Sequence, residues 1–195
     1  MSTSVETTPS SDPSPAAAAP RADLVIRELR AEESAALGRL MVEVYANLQG
    51  FPTPQEQPAY YAMLADIGAF ARKPQAKVLV ATTREGALLG GVVYFGDMAE
   101  YGSGGIATQI RDAAGFRLLG VDPRARGLGV GKALTLACID LAKAAGHTQV
   151  ILHTTRAMQQ AWAMYERLGF KRSEDLDFLQ AGFPVFGFRL RLAAE

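Results

Sequence analysis

Residues 126–133 read RGLGVGKA, three alternate glycines followed at once by a lysine. Such glycines let successive backbone N–H groups approach an anion closely, and a helix starting here would add its positive end. The chemistry on offer is phosphate binding. Two common kinds of phosphate loop do not fit. A magnesium-nucleotide loop needs Gly, four residues, then Gly-Lys and a hydroxyl. Here Ala133 stands at the hydroxyl position and Arg126 where the first Gly belongs. A dinucleotide loop needs G-x-G-x-x-G and an acidic residue ending the next strand. This spacing is G-x-G-x-G, and that strand ends His153-Thr154-Thr155.

Other side chains could move protons. Tyr165 is a phenol, protonated at neutral pH and able to donate, although its spacing with Ala161 and Leu168 also suits core packing. Asp97 and Glu100, in a long Gly-rich stretch, and His153 are candidate bases. Cys138 is the lone cysteine and lies on an apolar stripe, so it reads as core, with no disulfide framework and no cysteine-based metal site. Arg124 and Lys132 are candidate phosphate contacts. Tyr60, Tyr61, Tyr101 and Phe183 are candidates for an apolar pocket, and Trp162 for a packed wall.

The elements that must position these residues follow from periodicity. Residues 22–29 read as a strand with Leu24 and Ile26 on one face. Residues 31–48 read as an amphipathic helix carrying Leu37, Leu40, Met41, Val44 and Leu48. A second helix is predicted over 59–73, then a hairpin of strands 77–83 and 87–96. Residues 97–114 break the rhythm as a Gly-rich stretch that reads equally as a binding loop or lid and as a mobile surface excursion. The strand at 115–123 runs into the glycine loop, and a helix follows from Val130 to Ala145, stopped by Gly146. A strand (148–155), a helix (158–168) stopped by Gly169, and two paired strands (176–182, 183–192) close the chain. Alternation in the middle with hairpins at the flanks predicts an α/β (α+β) fold, a mixed sheet with helices on both faces.

The segment VDPRARGLGVGKAL resembles the pyrophosphate loop of the GNAT family of N-acetyltransferases. In that family an Arg or Gln is followed by x-x-Gly-x-Gly or Ala after a Val-x-Pro strand end; the matches are Val121, Pro123, Arg126, Gly129 and Gly131. AWAMYERLGF (161–170) is similar to the family's A-x-x-x-Y-E-x-x-GF segment, and with the strand order the resemblance spans roughly residues 22–192. It implies a GNAT-like acyl-CoA N-acyltransferase fold with acetyl-CoA as co-substrate and no metal. The implied cofactor-binding residues are Leu119, Gly120, Val121, Arg126, Gly127, Leu128, Gly129, Val130, Gly131 and Lys132. Leu119 and Val121 would act through backbone groups on a bulged, splayed strand, and Tyr165 would protonate the departing thiolate. The implied acceptor is a primary amine of a small molecule or peptide, and family habit suggests a homodimer.

Two positions depart from the family pattern. Met158 stands where relatives often carry Asn, and the strand 115–120 offers Arg117 but no glutamate as base. These departures keep open a second reading, an acyl-CoA-binding sensor of the same fold without turnover.

Composition narrows the classes further. Twenty Lys plus Arg balance twenty Asp plus Glu, so the basic excess of a nucleic-acid binder is missing. No apolar run reaches the ~20 residues of a membrane span. Residues 1–21 are Ser, Thr, Pro and Ala-rich without an apolar pattern, and read as a disordered tail before a single domain at 22–195. A cytoplasmic location is expected.

Overall fold

The computed structural model describes residues 24–193, so the expected tail lies outside the described residues. The chain opens with β1 (Val25–Glu28), α1 (Ser34–Ala46) and α2 (Pro58–Ala65). Then come β2 (Ala76–Thr82), β3 (Leu88–Phe95), β4 (Ala113–Val121), α3 (Val130–Ala144) and β5 (Gln149–Thr154). It ends with α4 (Gln159–Arg167), β6 (Lys171–Arg172), β7 (Phe178–Gln180) and β8 (Phe183–Arg191).

The sheet order is β1-β2-β3-β4-β5-β8-β6, with β7 paired to β8. Every pairing is antiparallel except β4 with β5. A parallel pair needs a crossover, and α3 supplies it. The mixed sheet predicted from the order of elements is the one found. No helix among the described residues is long and apolar enough to cross a membrane.

Each sheet face carries its own core. Against one face lie α1 and α2, burying Leu37, Met41, Tyr45, Tyr61 and Leu64. Against the other lie α3 and α4, burying Leu134, Cys138, Tyr165 and Phe170. The predicted stripes explain this: Leu37 and Met41 on α1, and Val130, Leu134 and Cys138 on α3, recur at helical spacing and are all buried. At about 25 cal/mol per Å² such burial is the main force holding helices to sheet. Gly146 (φ 76°) ends α3 in the left-handed cap its sequence position predicted, its N–H donating to the Lys143 carbonyl.

Three details differ from the periodicity. The helix expected over 59–73 breaks at Asp66 (φ −101°, ψ 33°) and tightens into a 3₁₀ turn, Ile67–Arg72. Residues 97–112 are not one open loop but carry 3₁₀ turns at Met98–Glu100 and Ala107–Gln109. The two-residue strand β6 is too short to leave a periodic signal.

The decisive irregularity lies in β4. Arg117 pairs with Val93 and Gly120 with Gly91, so Leu118 and Leu119 together face Val92, and Leu118 takes φ 57°. This is a β-bulge, held in a region that costs a non-glycine residue roughly 1–2 kcal/mol. It also resets the alternation of faces. Phe116 packs on the α3–α4 side, Leu118 on the α1–α2 side and Leu119 again on the α3–α4 side. Arg117 lies over the Tyr101 ring and so shares its side of the sheet with Leu118.

Candidate active site

β4 pairs with β5 only from Ala113 to Gly115, opposite Gln149 to Ile151. Beyond Gly115 the two strands part, and a cleft of about 1080 Å³ opens between them, with the bulge in its wall. Its walls are β4 from Phe116 to Val121, the glycine loop, the end of β5 with the start of α4, and the α1–α2 connection.

The glycine loop forms one end of this cleft. Gly127 and Gly129 stand at φ 82° and 80°, in the left-handed region that favours glycine, and Gly129 is the N-cap of the fifteen-residue α3. A Cβ at either glycine would meet no neighbouring atom, so backbone conformation and not crowding selects glycine there. The first turn of any helix leaves N–H groups without intrahelical partners, and here they belong to Val130, Gly131 and Lys132. The Ala133 N–H is the first to close on the helix, donating to the Gly129 carbonyl at 2.9 Å. The donors and their field suit a diphosphate. Arg126, Gly127, Gly129, Val130, Gly131 and Lys132 all line the cleft, while Leu128 is exposed beside them.

Leu119, Gly120 and Val121 line its floor. The Leu119 carbonyl accepts a hydrogen bond from the Tyr45 hydroxyl at 3.0 Å. Tyr165 reaches the cleft from α4, 5% exposed and held between the rings of Phe116 and Phe170, each with its centroid 5.9 Å away. Burial pushes its phenol well above the ordinary value, so it stays protonated throughout the physiological range. The core packing expected from its spacing is found, and the residue also lines the cleft.

The other candidates separate cleanly. Asp97 caps a 3₁₀ turn by accepting from the Ala99 N–H at 2.9 Å, and Glu100 pairs with Lys73 at 3.0 Å; neither lines the cleft. His153 does line it, but both ring nitrogens are engaged. Nε2 lies 2.8 Å from the Leu176 carbonyl, which only accepts, so Nε2 carries the proton and Nδ1 accepts from the Tyr101 hydroxyl at 3.0 Å. Burial lowers its pKa to about 4, so the ring is neutral at pH 7. Its nearest role is to pin β5 to the turn before β7.

Arg124 is tied to Asp122 through a bidentate pair and stands 90% exposed, outside the cleft, whereas Lys132 lines it. Met158 occupies the α4 N-cap, where a thioether offers the helix no side-chain cap bond. Trp162 packs on Phe186 and Phe188 and is not part of the cleft wall. Cys138 is fully buried. Of the proposed aromatic liners, Tyr60 and Phe183 line the cleft, while Tyr61 and Tyr101 are core.

The Acetyltransferase (GNAT) family model matches residues 41–170, which carry both the glycine loop and Tyr165. The chain belongs to the GNAT acetyltransferase family. A mycothiol acetyltransferase from Thermobispora bispora is 46% identical over 55 residues, 28% of this chain and 19% of that one. The chain thus matches only about a fifth of that curated relative's length. Among solved structures, a GCN5-related N-acetyltransferase from Kribbella flavida superposes with TM-score 0.66 at 20% identity, covering 89% of this chain and 100% of that one. The paia N-acetyltransferase from Thermoplasma acidophilum, in complex with coenzyme A, gives TM-score 0.67 at 17% identity and covers 87% and 99%. At these identities the structural likeness is one of fold.

Four residues of the GNAT cleft were not singled out from the sequence: Arg156 and Arg167 line the wall, and Tyr45 and Phe51 extend the aromatic surface around Tyr60. Arg117, noted in the sequence only for the missing glutamate, lines the wall too. Arg167 holds a variable position of the 161–170 segment, and the others belong to no motif. Their signal is tertiary: α1 and its following loop fold over the bulge of β4.

Proposed function

We propose that this protein is an acetyl-CoA-dependent N-acetyltransferase that modifies a primary amine of a small molecule or peptide by direct attack, with Tyr165 as the acid. The observation that carries this reading is the parting of β4 from β5 directly between the glycine loop and Tyr165. The N–H groups from Gly127 to Lys132 would hold the diphosphate, with Lys132 and Arg126 as counter-charges. The backbone of Leu119, Gly120 and Val121 would orient the arm along the floor. Acetyl-CoA supplies an activated acyl thioester, so the chain's own residues need only align the amine and manage protons.

Tyr165 Oη would hold the proton given to the departing sulfur. Burial raises thiol and phenol pKa values in the same direction, as Cys138 and Tyr165 both display, so dryness alone does not turn the transfer uphill. Among the described residues the cleft is lined by no carboxylate and by five cations, Arg117, Arg126, Lys132, Arg156 and Arg167. Such a wall disfavours the ammonium form of the amine, and the proton that the attacking nitrogen sheds as the amide forms would return through water to the Tyr165 phenolate, which has given its own to sulfur.

Release of free thiol from acetyl-CoA across a panel of amines tests the reading. Amine-stimulated release is expected. Tight acetyl-CoA binding with no release over a broad panel would leave the non-catalytic sensor instead.

A further inference from the structure

The two sheet faces divide the cleft. The glycine loop, α3 and Tyr165 belong to one face; Tyr45, Phe51, Tyr60, Arg117 and His153 belong to the side of α1, α2 and Tyr101. That second chamber has a distinctive chemistry. Three aromatic rings, Tyr45, Phe51 and Tyr60, pack with centroids 5.3 to 6.0 Å apart. Its charge is Arg117.

Arg117 is half-buried and forms no ion pair among the described residues. Its Nη1 donates to the carbonyls of Tyr101 at 2.7 Å and Gly102 at 3.0 Å. A guanidinium has five donors, so three, on Nε and Nη2, keep no protein acceptor. Its Cζ lies 5.6 Å from the Tyr101 ring centroid, and the two carbonyls fix the plane of the fork. Burial raises the pKa of Tyr60 and Tyr101 and lowers that of His153; the Arg117 charge partly offsets the first two shifts and adds to the third, so all three sit within its reach. A partly desolvated cation with an unused edge, beside a neutral imidazole and with no carboxylate among the described residues of the cleft wall, is incomplete. The matching partner is planar, anionic and presents two oxygens.

We propose that the acceptor chamber recognises an amine that carries its own carboxylate and an apolar body, as in an α-amino acid with a large apolar side chain. The carboxylate pairs with the free Nε–Nη2 edge of Arg117, and the apolar body lies against Tyr45, Phe51 and Tyr60. The amine is thereby held at the slot between β4 and β5, facing the donor side. Arg117 is a specificity-determining residue that contributes nothing to the donor site. This inference rests on the acetyltransferase reading for its acceptor, but not for its binding site.

The test therefore has a binding arm and a turnover arm. In the first, 3-phenylpropionate and 3-phenylpropanol, neither of which can be acetylated on nitrogen, are titrated calorimetrically into the full chain with coenzyme A present. The acid is expected to bind at least about 10-fold more tightly, a bidentate charged pair being worth that much. Arg117→Gln should abolish the preference, and Arg117→Lys should restore part of it. Circular dichroism checks that the variants are folded, and the wild-type comparison stands without them. In the second arm, thiol release is compared for phenylalanine and phenethylamine. Equal binding of acid and alcohol, or faster turnover of phenethylamine, overturns the inference while leaving the acetyltransferase reading intact. A preference for the acid with no thiol release from any amine overturns the acetyltransferase reading and keeps the carboxylate site.

Discussion

Burial moves the pKa values of Tyr165 and His153, two titratable residues on the same cleft, in opposite directions. Burial keeps the phenol protonated, and replacing Tyr165 by Phe removes the proton while preserving the ring between Phe116 and Phe170. We expect kcat to fall by about 10²-fold or more with little change in melting temperature, the usual scale for a positioned acid. A variant with wild-type kcat would remove Tyr165 from the chemistry. His153 is instead a stability group. Its folded pKa, about 4, lies below the ordinary 6.5, so the unfolded chain binds the proton more readily. Stability is complete above pH 6.5 and declines as pH falls toward 4, by on the order of 3 kcal/mol. The displaced carboxylates, Glu33, Asp112, Asp122, Asp175 and Asp177, lose their contributions only below their ordinary values near 4. Chemical denaturation between pH 7 and 5 should therefore show a slope in the wild type that flattens in His153→Gln. Tyr165 was readable from a motif. The engagement of His153 was not, because Tyr101 and Leu176 reach it from segments 52 and 23 residues away in sequence.

At the scale of elements, the loop and helix proposed to hold the diphosphate discriminate between glycines needed for conformation and glycines needed for room. Gly129 stands at φ 80°, so Gly129→Ala should cost about 1–2 kcal/mol and lower the melting temperature. Gly131 lies in the first turn of α3, where a Cβ would meet Met164 Sδ at 3.6 Å, Val121 Cγ2 at 3.7 Å and Met164 Cε at 3.9 Å, ordinary contacts. Gly131→Ala is expected to hold or raise stability, since alanine favours helix by up to about 1 kcal/mol. Its methyl nevertheless sits among residues that line the donor floor, so the KM for acetyl-CoA should rise several-fold. Thermal melts beside steady-state kinetics check both, and a Gly131→Ala enzyme with unchanged KM would show that this glycine does not face the cofactor. The glycine loop and the helices were legible because turn chemistry and apolar period are local properties. The bulge was not. Nothing in FRLLG signals that Leu118 will take φ 57°; that geometry is imposed by pairing with β3 and by the helices packed on both sides.

For the whole molecule the informative quantity is how charge is distributed. Twenty cations balance twenty anions, which predicts no long-range steering of a charged ligand. Folding breaks this symmetry. The cleft collects Arg117, Arg126, Lys132, Arg156 and Arg167, and among the described residues its wall includes no Asp or Glu. Composition could not reveal it, because these five residues are scattered over fifty positions and interleaved with acids that fold elsewhere, such as Asp122 on its own arginine and Glu166 on Trp162. A low-dielectric slot lined by one sign of charge focuses field toward its mouth, so coenzyme A, itself polyanionic, should bind with a strong salt dependence despite the neutral protein. Calorimetric titration from about 50 to 500 mM potassium chloride, across which the screening length shrinks from above 10 Å to below 5 Å, should weaken coenzyme A several-fold. Dephospho-coenzyme A, lacking the 3′-phosphate, should show a shallower slope. Equal slopes would place the 3′-phosphate away from Arg126, Lys132, Arg156 and Arg167. A flat response for both ligands would mean that backbone N–H groups alone carry the diphosphate and that the cationic wall serves the acceptor side.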